Sequence, residues 1–385
     1  MKYVENSESS PVYHRWTAMS LIAGALQRKV WFKRGHTTLY PNIYVILVGP
    51  SGLSRKGEPL TVGRQFLEGM NISIIAEDNS KESLIRDMHD CSTQFTDTTS
   101  GRIMNQSAIS CFAEELAVFL GYQNVALLAD MTNWYDSRDK WERRTKHQGI
   151  DEVNGVCFNF LATTDPSWLP SILPREAVGG GFTSRVIFVV QDKKAKTIPN
   201  PDLYPPNAGL RDRLMDDLES MNRITGPMRF DRHAREFYDA WYIEQDRLIE
   251  TGEHPLTSPF LRGYLSRRPT HLTKLGMLHS ASRSNELIIS RKDLEDSLRM
   301  LEEIEPKMHE VFRGISDLKF GKHTAEVLDF IREHGPVHKS KILRTMTDKI
   351  DSYTFDQVIK TLLDSRQVEA KLDVARKEPI YGAID

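Results

Sequence analysis

The stretch "NIYVILVGPSGLSRKGEP", residues 42–59, constrains the fold more than any other. An apolar, β-prone run ends in a glycine turn, and a lysine follows. Strand, glycine-rich turn and lysine are the parts of a loop that holds phosphate on backbone N–H groups. The spacing departs from G-x-x-x-x-G-K-[ST] in three ways. Gly49 to Lys56 is one residue too long, Arg55 stands where the second glycine belongs, and Gly57 replaces the hydroxyl that ligates magnesium. Taken alone, the stretch reads in two ways. It is a phosphate cradle built on Gly49, Ser51, Gly52, Ser54, Arg55, Lys56 and Gly57, or it is a plain strand–turn–helix joint.

The surrounding pattern predicts an α/β fold. A helix over 11–29 precedes the strand-like runs "VWFK", "NIYVILV", "ISIIAE", "AISCFA", "GVCFNFLATT" and "RVIFVV", with helical segments between several of them. Such alternation indicates a parallel sheet. Residues 91–107 read as a polar loop. A Pro-rich connection, "QDKKAKTIPNPDLYPPN", leads into a stretch over 208–316 that reads as helices apart from "LIIS". From 323, three short amphipathic helices and a two-stranded hairpin make a winged-helix pattern. The predicted domains are an α/β core carrying the loop over 1–200, a helical lid over 201–320 and a winged helix over 321–385. A length of 385 residues suits two or three domains.

The formal net charge is −2, so no global basic field marks a nucleic-acid binder and any such surface must be local. Cys91, Cys111 and Cys157 lie far apart, without zinc or disulfide spacing, and read as small buried hydrophobes. His334 and His338 flank Pro336, which breaks a helix, and no metal site is read there. The first residues lack the apolar core of a signal peptide, and no apolar run is long enough to span a membrane. The expectation is a cytoplasmic protein without membrane partners.

Two further stretches carry chemistry. "SAISCFAEEL" ends an apolar strand in Glu114 and Glu115. Paired acids at a strand tip can divide the work of phosphoryl transfer, Glu114 holding the metal and Glu115 polarising the attacking water. Equally, both acids suit the first turn of a following helix, where the dipole favours them. "FNFLATTDPSW" places Thr163 and Thr164 at another strand end. If that strand lies between the other two, a hydroxyl stands beside the γ-phosphate; otherwise Asp165-Pro166 is a polar turn.

The order of these pieces resembles the P-loop core shared by superfamily-3 viral helicases and minichromosome-maintenance helicases, within the AAA+/RecA-like class. The phrases "RWTAMSLIAGAL", "YPNIYVILVGPSGLSRKG", "FAEELAVFL", "FLATTDPSWL", "GGGFTSRVIFVV" and "YLSRRPTHLTKLGMLHS" resemble phage and plasmid ATPases that occur alone or as the helicase half of primase–helicase proteins. The resemblance covers most of residues 11–310. It implies ATP and Mg2+ as cofactors, DNA as partner, and an ATP-dependent translocase or helicase of phage or mobile-element replication. The ring, expected to be a hexamer, would use Arg185 as an arginine finger in trans, with Arg267 or Arg268 as the lid arginine. Primer synthesis would come from a primase or another replication protein. In that family Arg-Lys-Gly is a loop variant, but a Ser or Thr normally follows where Glu58 stands here. Ser54 or Thr61 is then the substitute ligand, or the chain is a nucleotide-gated, poorly hydrolysing DNA-binding initiator or helicase loader. An ATPase switch in phage defence is a third reading.

Two segments are expected to touch DNA. "SRDKWERRTKHQG" has five Lys/Arg against two acids and would offer Arg143, Arg144 and Lys146 to phosphates, with Trp141 stacking or packing among them. In the winged helix, Tyr353, Thr354, Gln357 and Lys360 would face a groove and Arg376 and Lys377 would form the wing; protein docking is the alternative use of that domain.

Overall fold

The computed structural model describes the chain except residues 76–78, 146–148, 175–176, 347–349, 374–377 and 385. The architecture is mixed α/β with parallel sheets and many helices. Two compact units divide it, Met1–Phe312 and Arg313–Asp385.

The first unit is organised by a five-stranded sheet. Its strand order is Ser92–Thr96, Ile103–Ala113, Val156–Thr164, Tyr44–Val48, Val186–Val190. The last four are parallel, and the first is an antiparallel edge. Tyr44–Val48 is wholly buried because parallel neighbours flank it and helices cover the sheet faces. Val48 pairs with both Thr164 and Val190, so three strand ends stop at one level. The polar segment 91–107, expected as a loop, instead contains the edge strand and the start of its neighbour. An edge strand needs only one paired side, so "STQFT" can be polar and largely exposed.

The helix Pro11–Leu26 is capped by Ser10, which accepts the Val12 N–H, and starts on a proline at its first position. It is buried on nearly every face because it lies between the sheet and the helices Gly57–Gly69 and Ala208–Asn222.

Residues 201–312 belong to the same compact unit as the core, so the expected boundary near 200 does not separate two units. The reason is a strand the sequence reading missed. Gly226–Phe230 pairs in parallel with Val30–Phe32 and with Ile288–Ile289, forming a second sheet with Thr37–Leu39. The helix Arg262–Arg283 then inserts as core. His271, Leu272, Lys274, Leu275 and Leu278 are all buried along it.

The second unit starts at 313 rather than 321, with the helix Arg313–His334. Helices Lys339–Thr345 and Ser352–Asp364 follow. Its sheet has three strands rather than the expected two, since Val337–His338 joins the Val368–Asp373 and Glu378–Ala383 hairpin. Val327, Ile331, Phe355, Val358, Leu362 and Tyr381 fill its core.

Gly49, at the start of the loop, is closely packed. A Cβ there would lie 2.5 Å from Gln191 O, Ser54 Oγ and Tyr13 OH, whereas one at Gly57 would meet nothing within 4 Å. We expect Gly49→Ala to lower the unfolding free energy by about 1–3 kcal/mol and Gly57→Ala to leave it nearly unchanged, read from urea denaturation midpoints.

Candidate functional site

In an open parallel sheet, ligands bind beyond the carboxyl ends of the strands. Gly49 follows one such end, Glu114 and Glu115 follow a second, and Asp165 follows a third. The strand Val156–Thr164 lies between the other two, so the loop and the acids flank it.

The loop from Gly49 to Lys56 is held from below by helix Pro11–Leu26. Tyr13 OH donates to Val48 O at 2.6 Å, and burial pushes that phenol above its ordinary pKa. Gly52 has φ +74°, the left-handed region that glycine adopts freely. Arg55 has φ 54°, so an arginine occupies a conformation that favours glycine. What fixes it is a clamp. Arg55 Nε donates to Glu8 Oε2 at 3.0 Å, while Glu8 Oε1 accepts from Lys194 Nζ at 2.7 Å and Ile198 N–H at 2.8 Å. Lys194 N–H also donates to Leu53 O at 2.8 Å, so the segment after the sheet is tied to the loop. The Lys194 and Ile198 hydrogen bonds hold the Glu8 carboxyl down at about 2.

Lys56 is buried and precedes the helix Gly57–Gly69, whose first turn has no side-chain cap. Free first-turn N–H groups and the helix dipole favour an anion there, although Pro59 removes one donor. Lys56 Nζ lies 3.5 Å from Ser51 Oγ. Ser51 N–H donates to Asp165 Oδ2 at 2.8 Å, and the other Asp165 oxygen accepts from Ser167 N–H at 3.0 Å. Burial pushes the Asp165 carboxyl up, but the hydrogen bonds from Ser167 and Ser51 outweigh it and leave it below the ordinary value.

The two acids differ. Glu114 is exposed. Glu115 is half-buried, and its Oε1 has no hydrogen-bond partner among the described residues. Desolvation raises the Glu115 pKa, opposed by the Ala117 N–H and by Lys56, and supported by the charge of Asp165. Lys56, Glu115 and Asp165 are thus one electrostatic cluster at the strand ends.

Several expected residues stand differently. Thr163 Oγ1 donates to Glu114 O at 2.5 Å and Thr164 Oγ1 to Asp165 O at 3.3 Å, so both hydroxyls are occupied by backbone. Thr164 is fully buried, and Asp165, read as a turn residue, supplies the side chain at this strand tip. The Asp-Pro-Ser turn is real; what sequence could not show is its second oxygen reaching the loop. Ser54 is also fully buried and donates to Pro50 O, while Thr61 is exposed and donates to Gly57 O. In this arrangement both hydroxyls spend their protons on backbone carbonyls.

Arg185 does not stand free at an edge. It is 7% exposed, donates to Asp136 Oδ2 at 2.6 Å and Gly181 O at 2.7 Å, and precedes the strand end opposite the loop. Arg267 shares the same Asp136 carboxylate at 3.0 Å. Arg268 is buried on Glu305, at 2.6 and 2.8 Å, and also donates to Gln245. Arg267 is half-buried, and further along the same helix buried groups find acceptors on remote elements: Lys274 Nζ donates to Asn42 O at 2.8 Å, and the His271 ring lies between Tyr135 OH and Ser184 O.

The basic stretch 137–149 is not a loop but mostly a hairpin, Lys140–Thr145 with Gly149–Asn154. Trp141 packs edge-on against Trp134 at 5.7 Å, so it belongs to the core rather than to a stacking surface. Arg143 is tied to Glu82 at 3.2 Å, Arg144 is exposed, and Lys146 lies outside the described residues. In the second unit Tyr353 and Lys360 are exposed, but Thr354 is buried beside the Asp351 cap. Arg376 and Lys377 lie outside the described residues.

No known family model matches the chain, and no curated protein matches it either.

Two predictions follow from this geometry. Folding depresses the Glu8 pKa, so the clamp's contribution is complete above the ordinary value of 4.5 and is lost as pH falls toward about 2. Glu8→Gln should flatten the stability–pH curve across that window, measured by urea midpoints. Asp136→Asn should cost about 2 kcal/mol, because it leaves the buried Arg185 guanidinium without its carboxylate; calorimetric melting reads it.

Proposed function

We propose that the crevice at the carboxyl ends of the core strands binds ATP and hydrolyses it. The observation that carries this reading is the half-buried Glu115 carboxylate, with an oxygen lacking any described hydrogen-bond partner, coupled to the Lys56 ammonium at a helix N-terminus. An acid at that place, held above its ordinary pKa by burial, suits a general base for water. Fold class and phrase order together support a P-loop ATPase of the AAA+/superfamily-3 kind, with residues 313–385 as a winged helix, acting on DNA in replication of a phage or mobile element and working as a homo-oligomeric ring.

In this reading Lys56 holds the β- and γ-phosphates, with N–H groups of the loop and of the first helical turn. Glu115 accepts a proton from water as the water oxygen bonds to the γ-phosphorus. The bond from that phosphorus to the β–γ bridging oxygen breaks, releasing ADP and phosphate. The chain's contribution is position and charge, as phosphoryl transfer requires. Asp165 must release the Ser51 N–H for a phosphate oxygen to take it. By donor type the Glu114 carboxylate would hold Mg2+, and bound Mg2+ would neutralise phosphate charge. Arg185 serves the fold in this account, not a neighbouring subunit's phosphate.

One set of observations favours slow turnover, as in a nucleotide-gated initiator or loader. The hydroxyl after Lys56 is missing, Ser54 is turned to Pro50 O, and Asp165 already occupies a loop N–H.

The test is ATP turnover with and without single-stranded DNA, beside particle mass by light scattering. Glu115→Gln should reduce turnover by about 100-fold or more while ATP still binds, and Lys56→Ala should abolish both. Turnover that survives Lys56→Ala would overturn the assignment. ATP binding without measurable turnover in the unaltered chain would select the gated reading.

A further inference from the structure

A second crevice lies at the other end of the core sheet. Asp136 bonds Arg185, the residue before Val186, and Val186 pairs with Tyr44, whereas the loop follows Val48. Five residues of extended strand put roughly 16 Å between the two ends. The crevice there encloses about 630 Å³ and is lined by Arg34, Tyr40, Asp136, Arg138, Arg267 and Lys274, among others.

Its charges do not balance. Asp139 is matched by Arg28, which donates to it at 2.5 Å and stacks over Tyr40 with 4.1 Å to the ring centroid. Asp136 carries two guanidiniums, those of Arg185 and Arg267, so one positive charge is left over. Arg34 donates only to the neutral Thr270 hydroxyl at 3.1 Å, and Arg138 has no side-chain partner among the described residues. Three guanidinium charges are therefore uncompensated. Behind them Lys274 is buried against the Tyr135 ring, its ammonium already satisfied by Asn42. Tyr40 and Tyr135 are buried in its walls, Arg34 is half-buried, and Arg138 is exposed at its mouth, within reach of a ligand arriving from solvent. Guanidinium forks bind phosphate oxygens in pairs, and a single carboxylate would leave most of this charge unmatched.

We propose that this crevice binds a phosphate-bearing polyanion, with Arg34, Arg138 and Arg267 as the contacting cations, at a site separate from the Lys56 loop. Two adjacent phosphates match the surplus charge, whether they belong to a free oligophosphate or to a nucleic-acid backbone. The site does not depend on the ATPase reading, since none of its residues touches the loop.

Inorganic pyrophosphate titrated by calorimetry tests it. Lys56→Ala should still bind pyrophosphate, and adding Arg34→Ala and Arg138→Ala should weaken that binding roughly ten-fold or more. Affinity should fall with added salt. A parallel titration of Arg34→Gln/Arg138→Gln in the otherwise unaltered chain should lose one site of this affinity, so the result does not rest on the Lys56 variant folding. Displacement by oligothymidylate would assign the phosphates to nucleic acid, and failure to displace would assign them to a free oligophosphate. No pyrophosphate binding to Lys56→Ala, or unchanged binding after both arginines are replaced, would overturn the proposal. Loss of ATP turnover alone would not.

Discussion

Everything at the strand ends depends on the double pairing of Tyr44–Val48. Val48 pairs with Thr164 on one side and Val190 on the other, and this levels three strand tips. Gly49 can then pack against Gln191 O, and Asp165 can reach the Ser51 N–H. Without a buried strand in the centre, the loop would have no fixed floor and the carboxylates no common edge. Because each backbone group of this strand is satisfied within the sheet, the free donors lie where the chain leaves it, in the loop and the first helical turn.

Strain and fastening then divide the loop. Arg55 sits where glycine would be relaxed, and the Glu8 clamp holds it there. A non-glycine residue in the left-handed region costs of order 1 kcal/mol or more and persists only where its surroundings hold it. The same clamp takes hold of Lys194 and Ile198, joining the chain's first residues to the segment beyond the sheet. On the opposite side Asp165 occupies a donor that a phosphate would want. The loop is therefore shaped in advance, but one of its N–H groups is already engaged.

Much of this was legible in the sequence. The apolar runs 44–48 and 186–190, and 156–164 with only Asn159 within it, are long enough to be buried strands, and each is followed by or ends in polar residues that mark the working edge. The paired acids after Ala113 were visible for the same reason. Other parts were hidden because their signal lies in distant partners. "GPMRF" carries glycine and proline, yet pairing with Val30–Phe32 makes it a strand. Arg268 and Lys274 look solvent-facing until Glu305 and Asn42 supply acceptors 37 and 232 positions away. Arg185 reads as an edge residue until Asp136 closes over it. Local pattern reports strand and turn; the burial of a charge is decided by an acceptor that no local window contains.

The central claim is that the crevice beyond Val48, Ala113 and Thr164 is a nucleotide site. Amide hydrogen exchange followed by mass spectrometry, with and without ATP and Mg2+, addresses it directly. The account predicts slowed exchange in peptides covering 49–58, 113–117 and 163–167, with little change in the helix Ser352–Asp364. Exchange unaltered in those three segments at saturating ATP, or slowed only elsewhere, would contradict it.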